Sequence, residues 1–203
     1  MQIRLQKYLI SSTIYKVIFL VDKNYISTIN HIRFDPTCPE WNDIEIGDIA
    51  HALSYISRAN GHFMKFFSVA RHCLNCAEEA RARGYSERVQ LLCLLHDAAE
   101  AYIGDMTRPL KKKIPEFSEI ERAYQKIIFS KFISEQLTDD ERAKAREIDD
   151  AMLYHEFLKY NGEILLEYEP ELHIDIDSGV KSVDETKAEF LEKFAELSRA
   201  VKG

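Results

Sequence analysis

Apolar residues recur at spacings of three and four along most of the chain after Asp43, which is the period of helices with one buried face. In DIEIGDIAHALSYISRA this pattern predicts a first helix that ends near Asn60-Gly61. Further helices are predicted from Phe66 to Ala82, from Glu87 toward Gly104, from Ser118 to Ile133, from the capping-box sequence at Thr138 to Asn161, and from Val183 to Val201. The pattern therefore indicates an all-α fold.

The segment YLISSTIYKVIFLV near the N-terminus departs from this helical pattern. Lys16 interrupts it, no small-residue cleavage site follows, and it is too short to span a bilayer. We interpret residues 1–24 as a short extended arm, formed by a strand or a packed segment. Residues 25–203 then form one domain, in which the polar stretch from 163 to 181 is predicted to be a loop.

The net charge limits the kinds of partner that the protein can bind, and the cysteine content indicates its redox compartment. The 203 residues include 27 Lys and Arg against 34 Asp and Glu, which gives a formal charge of −7. This balance disfavours a nucleic-acid polymer or a membrane surface as the partner, although a local phosphate pocket stays compatible with it. The pair Cys73-x-x-Cys76 has no second pair to complete a zinc site, so reduced core thiols in a cytoplasmic protein are favoured.

The stretch LLCLLHDAAEAYIGD places several charged residues directly after an apolar run. A buried unpaired carboxylate is strongly unfavourable, so these acids must face water, form ion pairs or bind a cation. Glu100 lies four residues after His96 and three after Asp97, which places all three along one side of a helix end. Imidazole nitrogens and carboxylate oxygens together suit first-row divalent metals.

Two residues on neighbouring predicted helices could complete such a site. His72 lies in FSVARHCLNC beside an apolar face, and Asp149 lies beside Ile148 on the fifth long helix. Taken singly, His72 is typical of a core histidine with a hydrogen-bond partner, and Asp149 is typical of a solvated helix residue. Their combination with His96-Asp97, in this chain order, favours a metal site.

Three sequence blocks resemble the HD-domain superfamily of metal-dependent phosphohydrolases. HDAAEAYIGDMTRPLKK is similar to the segment His-Asp-Ala-[Ser/Ala/Thr]-Glu…Gly-Asp…Pro-[Leu/Val]-Lys of its bacterial 5′-deoxynucleotidase-like branch. DIEIGDIAHALSYISRANGH and FFSVARHC also agree with that branch. The resemblance runs from about Tyr25 to Phe194 and implies a single-domain helical bundle.

The resemblance also implies a ligand set for one divalent transition metal, which could be Mn, Co, Fe, Ni or Zn. The ligands would be His72, His96, Asp97 and Asp149. Asp149 and Asp150 are adjacent, and Asp149 is preferred because Leu153 and Glu156 then follow at the family's spacing.

Four further residues are assigned to the substrate side of the site. By resemblance, Glu100 and Asp105 match acidic residues near the attacked phosphate, and Arg58 matches an arginine that meets the substrate phosphate. His62, four residues beyond Arg58, could add another donor. Without the resemblance, Arg58 is equally typical of a solvated helix end.

The implied reaction is hydrolysis of the 5′-phosphate monoester of a (deoxy)nucleoside monophosphate, by a protein that we expect to be a homodimer. On the same scaffold, a dNTP triphosphohydrolase or a cyclic-nucleotide phosphodiesterase is the alternative enzyme. A non-catalytic nucleotide-binding module and a purely structural helical protein are alternatives of other classes. Fold analogy does not choose among these, because substrate choice depends on the site.

Overall fold

The computed structural model describes residues 25–133, 136–176 and 181–202, and most of these residues are helical. The helices are α1 (Ile46–Tyr55), α2 (Val69–Ala82), α3 (Glu87–Leu95), α4 (Glu100–Ile103), α5 (Arg108–Lys111), α6 (Pro115–Phe132), α7 (Asp139–Asn161) and α8 (Val183–Lys202). The all-α prediction is confirmed, whereas the predicted N-terminal arm lies outside the described residues. None of the helices in the described ranges has both the length and the apolar character needed to cross a bilayer.

A small hairpin precedes the helices. Strand β1 (Ile26–Ser27) pairs antiparallel with β2 (Arg33–Phe34). Asn30, in the connecting turn, donates from its backbone N–H and from its amide to Oδ1 of Asp48 on α1. These bonds attach the hairpin to the first helix, and the buried ring of Phe34 adds to the core.

Helix α3 lies at the centre of the bundle, and this explains its continuous apolar sequence. It packs against α2, α7 and α8, and Leu91, Leu94 and Leu95 are fully buried. A helix with neighbours on several sides needs apolar residues all round rather than on one stripe. Each large apolar side chain buried in this way contributes roughly 1.5–3 kcal/mol to folding.

Several helix limits differ from the predicted ones for local reasons. Helix α2 begins at Val69 rather than Phe66, because the Ser68 hydroxyl caps it by accepting from the Arg71 N–H. Helix α6 begins at Pro115 rather than Ser118, since proline suits the first turn of a helix. The helix predicted from Glu87 toward Gly104 is divided into α3 and α4 by a turn at residues 96–99.

Glu79, on α2, anchors the loop that follows α7. Its carboxylate is fully buried and accepts from Arg83 Nε over 2.7 Å, from the His173 backbone N–H over 2.9 Å and from His173 Nδ1 over 2.9 Å. Burial alone would raise the pKa of Glu79, but the donors from Arg83 and His173 hold it below its usual value of 4.5. The ionised carboxylate is therefore the form that stabilises this fold.

A prediction for stability against pH follows from Glu79. Because its folded pKa is lowered, its contribution is present above about pH 4.5 and is lost as pH falls through the folded pKa. We expect Glu79→Gln to lower the free energy of unfolding at pH 7 by about 1–3 kcal/mol and to make the loss below pH 4.5 shallower. Urea unfolding between pH 3 and pH 7 measures both. Glu119→Gln, at an exposed position on α6, should change neither, and an unaltered acid slope in Glu79→Gln would contradict this role.

Candidate metal centre

Three separate parts of the bundle supply the four predicted metal ligands. His72 lies on α2, His96 and Asp97 lie in the turn between α3 and α4, and Asp149 lies on α7. His72 is fully buried, whereas the other side chains are 14–23% exposed. The structure brings all four together at the edge of the core, where one side of the cluster stays open to solvent.

The turn that carries His96 and Asp97 is tighter than an α-helix. Ala98 N–H donates to the Leu95 carbonyl over 3.1 Å, and Glu100 N–H donates to the Asp97 carbonyl over 3.0 Å. These bonds span three residues, as in a 3-10 helix, instead of four. The sequence predicted regular helix here, and the tightened turn sets the directions of the His96 and Asp97 side chains.

The ligand atoms of the four residues lie close to one another. Nε2 of His72 is 3.2 Å from Nε2 of His96 and 3.3 Å from Oδ1 of Asp149. Oδ2 of Asp97 is 3.3 Å from Nε2 of His96 and 3.7 Å from Nε2 of His72. Nε2 of His96 is 3.7 Å from Oδ1 of Asp149.

The other ring nitrogen of each histidine fixes its tautomer. His72 Nδ1 is 2.8 Å from a carboxylate oxygen of Glu156, and His96 Nδ1 is 2.7 Å from the Cys93 carbonyl oxygen. Both partners only accept hydrogen bonds, so in each ring Nδ1 carries the proton. In the neutral rings, both Nε2 atoms therefore present lone pairs to each other and to the two carboxylates.

This arrangement fits a divalent cation. Two donor atoms that each lie about 2.1 Å from one ion are about 3.0–3.4 Å apart at right or tetrahedral angles, close to the spacings of this cluster. Two imidazole nitrogens with two carboxylate oxygens form a donor set typical of first-row transition metals. Burial would lower the pKa of His96, but Asp97 and Asp149 raise it well above its usual value, so the cluster favours a positive charge at this point.

Two thiols lie beside the cluster. Cys76 Sγ is 3.6 Å from His72 Nε2, and Cys73 lies close enough to His96 and Asp97 to form a second possible ligand group. Burial raises the pKa of both thiols, which favours their protonated form in the metal-free protein. Both are free and buried, as predicted for core thiols, whereas Cys38 is exposed.

Arg58 enters the site from an unusual backbone turn. Ala59, Asn60 and Gly61 have φ values of 52°, 51° and 79°, all in the left-handed region. This conformation is costly for alanine, by about 1–2 kcal/mol. The bond from Arg58 N–H to the Phe67 carbonyl, over 2.8 Å, helps to hold the turn and directs Arg58 toward the cluster.

The Arg58 side chain is only 11% exposed and lies between two acids. Its Nη1 is 3.4 Å from Oδ2 of Asp97, and its Nη2 is 3.5 Å from Oε2 of Glu156. A guanidinium stays protonated at all ordinary pH values. The site therefore holds a permanent positive charge next to the predicted ligands, instead of the solvated helix end that was the other interpretation of Arg58.

Two further acids lie near Arg58 and Asp97. Oε2 of Glu100 is buried and has no hydrogen-bond partner among the described residues, while Lys111 Nζ lies 3.7 Å from its Oε1. Burial, with the negative charges of Asp97 and Asp105, raises the pKa of Glu100 well above its usual value. Burial also raises the pKa of Asp105.

His62 and Asp150 are placed differently from their neighbours in the site. His62 is exposed at the end of the left-handed turn, and within the described ranges no hydrogen bond joins its ring to the cluster. Asp150 points to Arg108 and is 48% exposed, whereas Asp149 faces His72. Of the two adjacent aspartates, the structure thus places Asp149 among the predicted ligands.

The sequence assigned no role to Glu156, although the structure places it at the base of the site. One oxygen of this fully buried carboxylate accepts a hydrogen bond from Nδ1 of His72, and the other forms an ion pair with Arg58. A carboxylate behind a metal-binding histidine fixes the ring's orientation and increases its basicity. Its position two helical turns after Asp149 was the available signal, because it puts both residues on one face of α7.

Comparison with known proteins places this geometry in a family. A family model described as HD domain matches residues 62–187, more than half of the chain, and HD domains bind divalent metals. The uncharacterized protein YfdR of Escherichia coli strain K12 is 36% identical over 91 residues, which cover 45% of this chain and 48% of that protein. An uncharacterized protein of Rhodobacter capsulatus is 46% identical over 87 residues, which cover 40% of this chain and 44% of that protein. The chain thus spans about half the length of these curated relatives.

Glu156 provides a test of the cluster as a metal centre. Glu156→Gln keeps the shape of the side chain but removes the charge behind His72 and opposite Arg58. We expect the affinity of this variant for Co²⁺ or Mn²⁺, measured by competition with a chelator, to be about 10- to 100-fold lower than that of the wild-type protein. Glu163→Gln removes an exposed carboxylate just beyond α7 and serves as the control. Equal affinities in the two variants would contradict the assigned role.

Proposed function

Because the chain belongs to the HD-domain family, whose members are generally metal-dependent hydrolases, we propose that it hydrolyses the 5′-phosphate monoester of (deoxy)nucleoside monophosphates. One observation carries this proposal. Four ligand atoms from His72, His96, Asp97 and Asp149 converge beside the buried guanidinium of Arg58. Such a site can hold a cation and an anion next to each other, as phosphate hydrolysis requires.

In this proposal His72, His96, Asp97 and Asp149 hold one divalent metal. When bound, the metal supplies a Lewis acid that neutralises phosphate charge and lowers the pKa of water. Glu156 keeps the His72 ring in the tautomer that presents Nε2 to the cluster. The fixed positions of these groups lower the reorganisation needed during the reaction.

Arg58 is proposed to bind oxygens of the substrate phosphate. Its guanidinium has donors in a planar fork, which matches two phosphate oxygens. The contacts with Asp97 and Glu156 are long, at 3.4 and 3.5 Å, so the arginine is held near the site by charge without short hydrogen bonds. His62, exposed at the end of the same turn, is proposed as an additional donor to the substrate.

Glu100 and Asp105 are proposed to carry out the proton transfers. Hydrolysis of the ester needs a proton removed from the attacking water and a proton given to the leaving 5′ oxygen. A carboxyl group within hydrogen-bond reach can do either. Glu100 is the stronger candidate, since one of its oxygens has no other partner in the described part of the chain.

The positive charges around the cluster support a phosphate monoester as the substrate. Arg58 and Lys111 lie close to the acids of the site, and Arg108 contacts Asp149. A terminal phosphate carries close to two negative charges at neutral pH, against one for a diester, and gains more from several cations. The sequence resemblance to the 5′-deoxynucleotidase-like branch points the same way. A single domain from residue 25 to 203 and a homodimer complete the proposal and rest on that resemblance.

A phosphatase screen tests the substrate class. Purified protein supplied with Mn²⁺, Co²⁺ or Zn²⁺ should release inorganic phosphate from dAMP or AMP, and a chelator should abolish the release. Release of tripolyphosphate from dATP, or of AMP from cyclic AMP, would instead select one of the alternative enzymes. Tight metal binding without turnover on any of these substrates would favour a non-catalytic nucleotide-binding module.

Glu100→Gln tests the proton-transfer role. The substitution keeps the volume of a buried side chain and removes its ability to exchange a proton. We expect kcat to fall about 10²- to 10⁴-fold, while the affinity for the divalent metal stays within about twofold. Glu119→Gln, at an exposed position on α6, is the matched control and should keep full turnover. Normal turnover in Glu100→Gln would transfer the role to Asp105, for which Asp105→Asn is the corresponding test.

A further inference from the structure

Arg108, at the start of the short helix α5, joins that helix to the metal centre. Its Nη2 donates to Oδ2 of Asp149 over 2.8 Å, and its Nη1 donates to Oδ1 of Asp150 over 2.9 Å. Adjacent residues on a helix point about 100° apart, so one side chain meets both carboxylates only if it has two separated donors. A guanidinium has such donors in one plane, whereas an ammonium group is a single point charge.

The two oxygens of Asp149 therefore have different surroundings. Oδ1 faces His72 Nε2 at 3.3 Å, within the cluster of predicted ligands. Oδ2 instead accepts a hydrogen bond from Nη2 of Arg108. Because Arg108 holds one oxygen of the Asp149 carboxylate, it limits rotation of the carboxylate plane and so fixes the direction in which the other oxygen faces the cluster.

The contacts of Arg108 with Asp149 and Asp150, here called the arginine bridge, are not explained by stabilisation of the fold. The side chains of Arg108 and Asp150 are 53% and 48% exposed. Ion pairs at that level of exposure contribute little to stability, because water competes for both partners. What distinguishes the arginine bridge is instead its contact with Asp149, which is a predicted metal ligand.

The backbone around Arg108 supports a fixed position for it. Pro109 lies in the first turn of α5, where its restricted φ favours the start of a helix. The same connection, between α4 and α5, carries Asp105 of the proposed catalytic pair. One short segment thus contributes both an acid of the site and the arginine that contacts Asp149.

We propose that Arg108 is a positioning residue of the metal centre and that Asp150 is its anchor. Arg108 orients the Asp149 carboxylate, and Asp150 acts on the centre only through Arg108. The inference rests on the proposed function, since it takes the cluster to be a divalent-metal site. It gives a separate role to each of the two adjacent aspartates, of which the sequence favoured Asp149 as the metal ligand.

The test measures binding of Co²⁺ by competition with a chelator, together with the visible absorption spectrum of the Co²⁺-loaded protein. Arg108→Ala should lower the affinity about 10- to 100-fold and change the spectrum, because the orientation of a ligand is lost. Arg108→Lys should restore only part of the affinity, since one ammonium group cannot bridge both carboxylates. Arg146→Ala removes an exposed arginine one turn before Asp150 and should leave affinity and spectrum as in the wild type.

A double-mutant cycle tests the anchoring role of Asp150. Asp150→Asn should lower the affinity in the same direction as Arg108→Ala but by less. Combining the two substitutions should give the affinity of Arg108→Ala alone, within about twofold, because Asp150 has no separate route to the site. Thermal unfolding of each metal-free variant checks that the fold is unchanged.

Two results would overturn the inference. One is an Arg108→Ala variant with wild-type affinity and spectrum, and the other is a double variant whose losses multiply. Failure of the proposed function has a different signature: the wild-type protein would bind no Co²⁺, or would bind it without hydrolysing any phosphate ester. The two failures are therefore distinguishable in the same set of measurements.

Discussion

The site depends on the convergence of two imidazole rings and two carboxylates at one point. The Nε2 atoms of His72 and His96 lie 3.2 Å apart, and carboxylate oxygens of Asp97 and Asp149 lie within 3.7 Å of them. The two carboxylates repel each other unless a positive charge lies between them, either a proton on His96 or a bound cation. The packing of α2, α3 and α7 must hold them against this repulsion. Packing of the core must therefore offset the free-energy cost of holding these groups close together.

Neighbouring residues hold the ligand side chains in place through hydrogen bonds and ion pairs on the side away from the centre of the cluster. Glu156 bonds His72, and the Cys93 carbonyl bonds His96. Arg58 balances the acids from the buried side, where the left-handed turn after it keeps its backbone in place. Buried charges are tolerated only when they are paired, and here each pair also orients a group that the proposed reaction uses.

Much of the fold follows from the sequence, because the helices need only a periodic apolar face and recognisable ends. The capping box at Thr138 and the glycine at 162 bound α7 in the structure as they do in the sequence. Other features have no local signal. An alanine with positive φ at 59 is not predictable from residue type, and the tightened turn at 96–99 arises where hydrogen bonds change span within a helical pattern.

The site, like the fold, could be predicted from the sequence only where its residues leave a local signal. The histidines and aspartates were predicted by combining spacing with a family resemblance, and the structure places them together. Glu156 and Arg108 were missed as site residues because their importance lies in contacts between elements distant in sequence. Arg108 lies in the basic stretch TRPLKKK, which carries no signal of its partners, and only the position of α7 gives it the two aspartates as partners.

The distribution of the ligands along the chain has a consequence for folding. His72 and His96 are 24 residues apart, and Asp149 comes from a helix much later in the sequence. An ion held by all of them would act as a reversible crosslink that closes long loops, and the entropy lost by the unfolded chain grows with the length of such loops. Docking of α7 and occupancy of the centre would then be thermodynamically linked, so that the supply of metal in the surroundings would help to set how much of the protein is folded.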